Sequence, residues 1–176
     1  MYEKTYPQKR FLITLDFLQK HLSTNEVILD LGVSNPLSHL MKEKGFEVIN
    51  TNGEDLDDDC SVLNKASYQA VTAFEIVEHL LNPYTILKNV KADKVFISVP
   101  LRLWFAKAYQ SKTDPWDRHY HEFETWQLDW LLQKAGFEIV ESIKFTHPVK
   151  KFGIRPLLRW FTPRYYLVYA KRVNSN

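Results

Sequence analysis

One cysteine and five glycines are spread over 176 residues, and each scarcity closes off a class of protein. Cys60 has no partner within the chain, so an internal disulfide and a thiolate-built metal cluster are both excluded. A reducing, cytoplasmic setting is the expectation. With so few glycines, no G-x-G-x-x-G turn exists anywhere, which argues against a nicotinamide dinucleotide site. Long apolar runs are missing as well. Nothing approaches the roughly 20 residues needed to span a bilayer, and the opening stretch MYEKTYPQKRF lacks the apolar centre of a signal peptide. Repeats and low-complexity tracts are likewise absent. The apolar fraction of 45% and charged fraction of 25% are those of an ordinary globular chain. A single domain over residues 1–176 is expected, with an N-terminal helix in 1–24 and two halves, 25–100 and 101–176.

Charge of one sign is missing from the C-terminal stretch. From Ser142 to Asn176 there are eight basic side chains (Lys144, Lys150, Lys151, Arg155, Arg159, Arg164, Lys171, Arg172) and no acid. The net charge of +2 therefore conceals an acidic body and a basic end. Such a patch suits a phosphate-bearing ligand, RNA or an anionic lipid surface, and it equally suits a solvated face that balances the acidic body.

What is present alternates. Phe11, Leu12, Leu15, Leu18 and Leu22 recur at helical spacing, which predicts an amphipathic helix over about 8–22. EVILDLG then reads as a buried strand that breaks at Gly32. Leu37, Leu40 and Met41 predict a helix from Pro36 to Lys44, with Gly45 as its left-handed stop, and FEVINT follows as a second strand. Strand, turn, helix and strand make a βαβ unit with a parallel, right-handed crossover. QAVTAF and DKVFISVP predict two more central strands, with a helix from about Asn82 and Pro83 between them. Thr125 is placed to cap a helix that Gly136 ends. FEIVESIKF and RYYLVYAKRV close the chain as strands without a clear crossover helix, so an antiparallel pair is expected at one edge of an otherwise parallel sheet.

The succession ILDLG, AFEIVEHLLNPYTILKNV, VFISVP and HYHEFETWQLDWLLQKAGFEIVE resembles the class I S-adenosylmethionine-dependent methyltransferases from about Val27 to Val173. The resemblance implies a Rossmann-like α/β fold, a mostly parallel sheet with an antiparallel C-terminal strand and flanking helices, shortened here between the second and fourth strands of the family. It implies S-adenosylmethionine as cofactor. By position it assigns Asp30, Gly32, Val33 and Ser34 to the strand-end turn, where a Cβ would obstruct the cofactor. Ser34 and Pro36 stand where the family has further glycines. The same match puts Asn52 at the position of the family's ribose-binding acid, with Glu54 as its substitute. Asp55 falls near the adenine, and Phe74 and Glu75 at the end of the strand that follows. The remaining acids, Asp57 to Asp59, read as a solvated loop.

Methyl transfer from a sulfonium asks an enzyme mainly for positioning, with a general base only if the acceptor must lose a proton. His79, His119 and His121 are the candidates for that base, since imidazole titrates near neutrality. Each has a purely structural alternative. Trp104, Phe105, Tyr109, Trp116 and Tyr120 offer an aromatic wall for a small or lipid-like acceptor, or ordinary packing. A metal site is not read from HYH, because a third ligand would have to come from elsewhere. Two other functions stay open: a binding or regulatory protein that kept the fold without turnover, and an RNA-associated protein led by the basic end. IRPLLRWF, with Arg155 and Arg159 beside Leu157, Leu158, Trp160 and Phe161, allows a peripheral membrane contact.

Overall fold

The computed structural model describes residues 8–64, 67–146 and 153–173. Six strands form one sheet: β1 (Val27–Asp30), β2 (Glu47–Asn50), β3 (Ala70–Phe74), β4 (Lys94–Pro100), β5 (Phe137–Phe145) and β6 (Tyr165–Arg172). Their order is β2-β1-β3-β4-β6-β5. β1 to β4 run parallel, and β6 is antiparallel to both β4 and β5. Burial explains the difference between these strands. β3 and β4 are almost continuously buried, as strands covered on both faces must be, whereas β5 alternates inward and outward along an edge.

Helices cover both faces. α1 (Gln8–His21) and α2 (Pro36–Glu43) pack Phe11, Leu15, Leu18, Leu37 and Met41 against Ile28, Phe96 and Tyr169. On the other face α3 (Pro83–Asn89) and α4 (Thr125–Lys134) bring Ile86, Leu87, Leu128 and Leu132 onto Val71 and Val95. Phe96 and Tyr169 stack across the β4–β6 ladder at 4.6 Å, which ties the antiparallel strand to the parallel ones.

The parallel unit, the antiparallel closing pair and the shortened segment agree with expectation. Between β2 and β3 the described residues hold a 3-10 turn, Ser61–Asn64, and no further strand. Three local readings need correction. The cap of α4 is Glu124, whose N–H is held by the Gln127 side chain at 2.8 Å, while Thr125 is already helical. Asp57 is not part of a merely solvated loop: its carboxylate accepts the N–H groups of Leu81 and Asn82 at 2.7 and 2.8 Å, just ahead of α3. A helix, α5 (Ile154–Phe161), stands where only an apolar piece was visible. It lies on the connection between Phe145 and Tyr165. Because Tyr165 pairs with Pro100, α5 leaves the sheet at the carboxyl end of β4. No helix among the described residues is long and apolar enough to cross a membrane.

Candidate functional site

The carboxyl ends of β1 and β3 meet in a cleft of about 180 Å³ lined by Asp30, Gly32, Asn35, Phe74, Glu75 and Ile76, among others. Open α/β sheets bind ligands at this end. Gly32 takes φ +137°, which side chains other than hydrogen rarely tolerate, and an added Cβ would meet Ile76 Cδ1 at 3.4 Å. Its N–H donates to Thr51 Oγ1 at 2.8 Å, so the turn is held at the end of β2. Asp30 is buried and fully satisfied: Thr72 Oγ1 donates to it at 2.6 Å and Asn50 Nδ2 at 2.9 Å. Burial pushes its pKa up to about 6 against the pull of these two hydrogen bonds.

The residues at the start of α2 border the cleft without filling it. Asn35 turns its amide back on the helix start, accepting from the N–H groups of Leu37 and Ser38 at 2.9 and 3.1 Å and donating to Val33 O at 3.1 Å. Pro36 then occupies the first turn of α2, where its missing N–H is not needed.

Glu75 closes the far side of the cleft with φ +59°, an uncommon conformation for a residue with a Cβ and one that stores on the order of 1 kcal/mol. Three bonds hold it there. Its N–H donates to Ser98 O at 3.0 Å, Ser98 Oγ donates to its carboxylate at 2.8 Å, and Arg10 of α1 pairs with it at 2.9 Å. Arg10 also lies 5.0 Å over the Tyr165 ring. Burial raises the Glu75 pKa, opposed by Arg10 and Ser98.

Arg10 and Glu75 are also part of the wall of a second cavity, of about 540 Å³, which adds Glu78, His79, His119 and Tyr109. Glu78 is fully buried, and neither of its carboxylate oxygens receives a hydrogen bond among the described residues. Burial and the nearby Glu75 charge hold its carboxyl well above the usual range. His79 Nδ1 donates to Arg118 O at 2.9 Å, and His119 Nδ1 lies 3.0 Å from Glu122 Oε1. The two rings stand edge to face at 4.9 Å. Burial lowers the His119 pKa, and its bond to Glu122 opposes that.

Of the residues expected from the sequence, Asp30, Gly32, Val33, Phe74 and Glu75 line the first cleft and His79 and His119 the second. Ser34 is exposed, with its hydroxyl 3.4 Å from His39 Nε2. Asn52 is exposed, its N–H donated to Glu54 at 2.7 Å, and Asp55 accepts the Asp57 N–H at 3.0 Å; none of the three lines either cavity. The loop still sits near the turn, since a Cβ on Gly53 would meet Val33 at 3.2 Å. His121 is separated from the other histidines. The HYH segment is not a strand, so alternation gives no common face, and His121 borders a groove with Trp126 and Trp130 instead. The aromatic wall is likewise dispersed: Trp104 and Trp116 are 78% and 79% exposed, and only Tyr109 lines the second cavity. Arg10, Ser98, Thr72 and Asn50 carry no sequence pattern that singles them out.

No protein-family model and no curated protein sequence matches the chain. Solved structures do. An S-adenosylmethionine-dependent methyltransferase from Archaeoglobus fulgidus superposes with a TM-score of 0.61 at 18% identity, over 92% of this chain and 94% of that one. The phosphoethanolamine N-methyltransferase 2 of Haemonchus contortus, solved with S-adenosyl-L-methionine, gives 0.61 at 13% identity, covering 94% of this chain and 53% of its own. The [4+2]-cyclase SpnF gives 0.62 at 13% identity, over 99% of this chain and 86% of that one.

Proposed function

Because the chain has the class I S-adenosylmethionine-dependent methyltransferase fold, we propose that it is itself such an enzyme, methylating a small or lipid-like acceptor held in the second cavity. One observation carries this reading: the open cleft at the Gly32 bend and the cavity with two histidines share Arg10 and Glu75 as a common boundary. When bound, S-adenosylmethionine supplies a methyl group already activated by its own positive charge. Gly32 lets the backbone come close to it, and Asn35 and Pro36 leave the cleft open. Asp30 and Glu75 put two carboxyl groups beside a ligand that carries a cation. His79 and His119 act on the acceptor. Each imidazole has its Nδ1 engaged, so a neutral ring presents Nε2 as the acceptor of a proton or the partner of a donor. The buried Glu78 carboxyl stands beside them, its Oε1 4.0 Å from His79 Nε2.

Calorimetry on the ligand-free chain tests the premise. Binding of S-adenosylhomocysteine in the micromolar range supports it, and no heat at high micromolar ligand refutes it. A second reading, a binding or regulatory protein without turnover, is favoured by Asn52, which offers an exposed amide in place of the family's acid. Asn52→Asp separates the two. It should tighten cofactor binding and raise turnover in an enzyme, and leave a non-catalytic protein without turnover.

The acceptor's class draws support from α5. Ile154, Leu157, Trp160 and Phe161 are all more than half exposed along one side of the helix, with Arg155 and Arg159 on the other. A basic amphipathic helix of this kind suits the surface of an anionic bilayer. Sedimentation with phosphatidylglycerol vesicles, against phosphatidylcholine vesicles as control, measures that contact. Salt-dependent RNA binding with no vesicle binding would favour an RNA-associated role instead.

A further inference from the structure

We infer that Glu78, His79 and His119 form a binding site for one divalent transition-metal ion in the second cavity. One ligand atom from each lies within 4.8 Å of the others. Proximity alone would be weak support, but three further features point the same way.

The first is the state of Glu78. Its side chain is 1% exposed, and both oxygens lack a hydrogen bond among the described residues. A carboxylate left so is costly unless it is protonated or meets a cation. The nearest basic side chain facing it, His79, has Nε2 at 4.0 Å, beyond hydrogen-bond reach. Arg10 is already paired with Glu75, and Arg164 donates to Leu101 O at 3.0 Å.

The second is the tautomer of the histidines. A carbonyl oxygen only accepts, so His79 Nδ1, 2.9 Å from Arg118 O, carries the hydrogen. The carboxylate of Glu122 asks the same of His119 Nδ1 at 3.0 Å. In the neutral form of either ring Nε2 is therefore the bare nitrogen. Metal-bound histidines are oriented in this way, with the other ring N–H held by a carbonyl or carboxylate.

The third is how the ligands are fastened. Glu78 and His79 are neighbours in one 3-10 turn, Val77–His79, just beyond β3. His119 comes from forty residues on, in the segment after β4, and that segment is tied back to the same turn. Tyr120 N and His121 N both donate to Glu78 O, at 2.9 and 3.2 Å. The backbone of one ligand thus anchors the loop that brings another.

Two imidazoles and one carboxylate suit zinc, iron(II), cobalt(II) or manganese(II) better than calcium or magnesium, which prefer oxygen. Metal bonds of roughly 2.0–2.2 Å require the three side chains to draw together by about an ångström. Three protein ligands leave coordination positions open, the arrangement of a metal that also takes a substrate atom. In that role the two imidazoles would act on the acceptor through the ion instead of directly. The role rests on the methyltransferase reading; the site does not.

The test is metal retention by the full chain. Protein stripped with chelator and dialysed against micromolar zinc should hold one equivalent by elemental analysis, and cobalt(II) should give a visible absorption band of the bound ion. Glu78→Gln and His119→Ala should each weaken zinc at least tenfold, while His121→Ala, outside the cluster, should keep one equivalent. Glu78→Gln is nearly isosteric, and its thermal melt reports whether it has folded. Wild-type protein that retains no zinc, or variants that retain as much as wild type, would overturn the inference. Loss of zinc in His121→Ala alone would refute this ligand set. Heat from S-adenosylhomocysteine is read on the same samples: cofactor binding without zinc refutes the metal site alone, and zinc without cofactor binding refutes the methyltransferase reading alone.

Discussion

The two cavities differ in how their polar groups are satisfied. Around the Gly32 bend, Asp30 has a donor on each oxygen, Asn35 caps α2, and the Gly32 N–H has Thr51. Around the histidines, both oxygens of Glu78, Arg118 Nε and, at the edge of the groove beyond, His121 Nε2 are buried without a hydrogen bond among the described residues. The first region is a finished frame, in which buried polar groups stabilise one another and hold a shape open. The second keeps uncompensated polarity, which folding tolerates at sites that handle a ligand more readily than in a passive core. Arg10 and Glu75 belong to both.

That shared pair gives the largest way to break the comparison. Arg10→Ala leaves the mostly buried Glu75 without its cation, and stability should fall by about 3–5 kcal/mol, read from urea unfolding. If the change is within about 1 kcal/mol, the pair does not join the two regions energetically. Gly32→Val acts on the first region alone. The β-branched side chain is strained at φ +137° and crowds Ile76, so S-adenosylhomocysteine affinity should drop about a hundredfold, roughly 2.7 kcal/mol, with zinc retention unchanged.

Asp30 sharpens the contrast through pH. Its folded-state pKa of about 6 lies above the ordinary 3.8, so the folded chain holds this proton more tightly than the unfolded chain. The resulting stabilisation is fully present below about pH 4 and is lost as pH rises through about 6. Two units at about 1.4 kcal/mol each amount to roughly 3 kcal/mol. Asp30→Asn should lack that loss, so the gap between wild type and variant in urea titrations should change by about this amount between pH 4 and 7. A gap that stays constant with pH would mean that the hydrogen bonds from Thr72 and Asn50 outweigh burial. The smallest effect belongs to α5: Leu157→Ser with Phe161→Ser should alter stability by no more than about 0.5 kcal/mol, because both side chains are mostly exposed, yet weaken vesicle binding.

The strand succession was legible because burial on both faces leaves continuous apolar runs, as in AVTAF and KVFISVP. The Gly32 bend was legible too, since a lone glycine after Leu29, Asp30 and Leu31 marks a turn that side chains would obstruct. Asp57 was misread because its partners, the N–H groups of Leu81 and Asn82, lie more than twenty residues away. His121 borders a different groove from His79 and His119, a separation its two-residue spacing from His119 does not reveal, because the HYH segment is a loop. Arg10 gave no signal in α1, whose pattern reports its buried stripe and not the groups near its start.

Local order of apolar and turn residues determined the elements, their succession and the bend at Gly32, because these depend on neighbours along the chain. Only the tertiary structure decided that Arg10 would meet Glu75, that Asn50 and Thr72 would hold Asp30, and that His119 would stand beside Glu78 and His79. Such pairings join residues between 20 and 65 positions apart, and sequence spacing carries no information about contacts that form when separate elements pack.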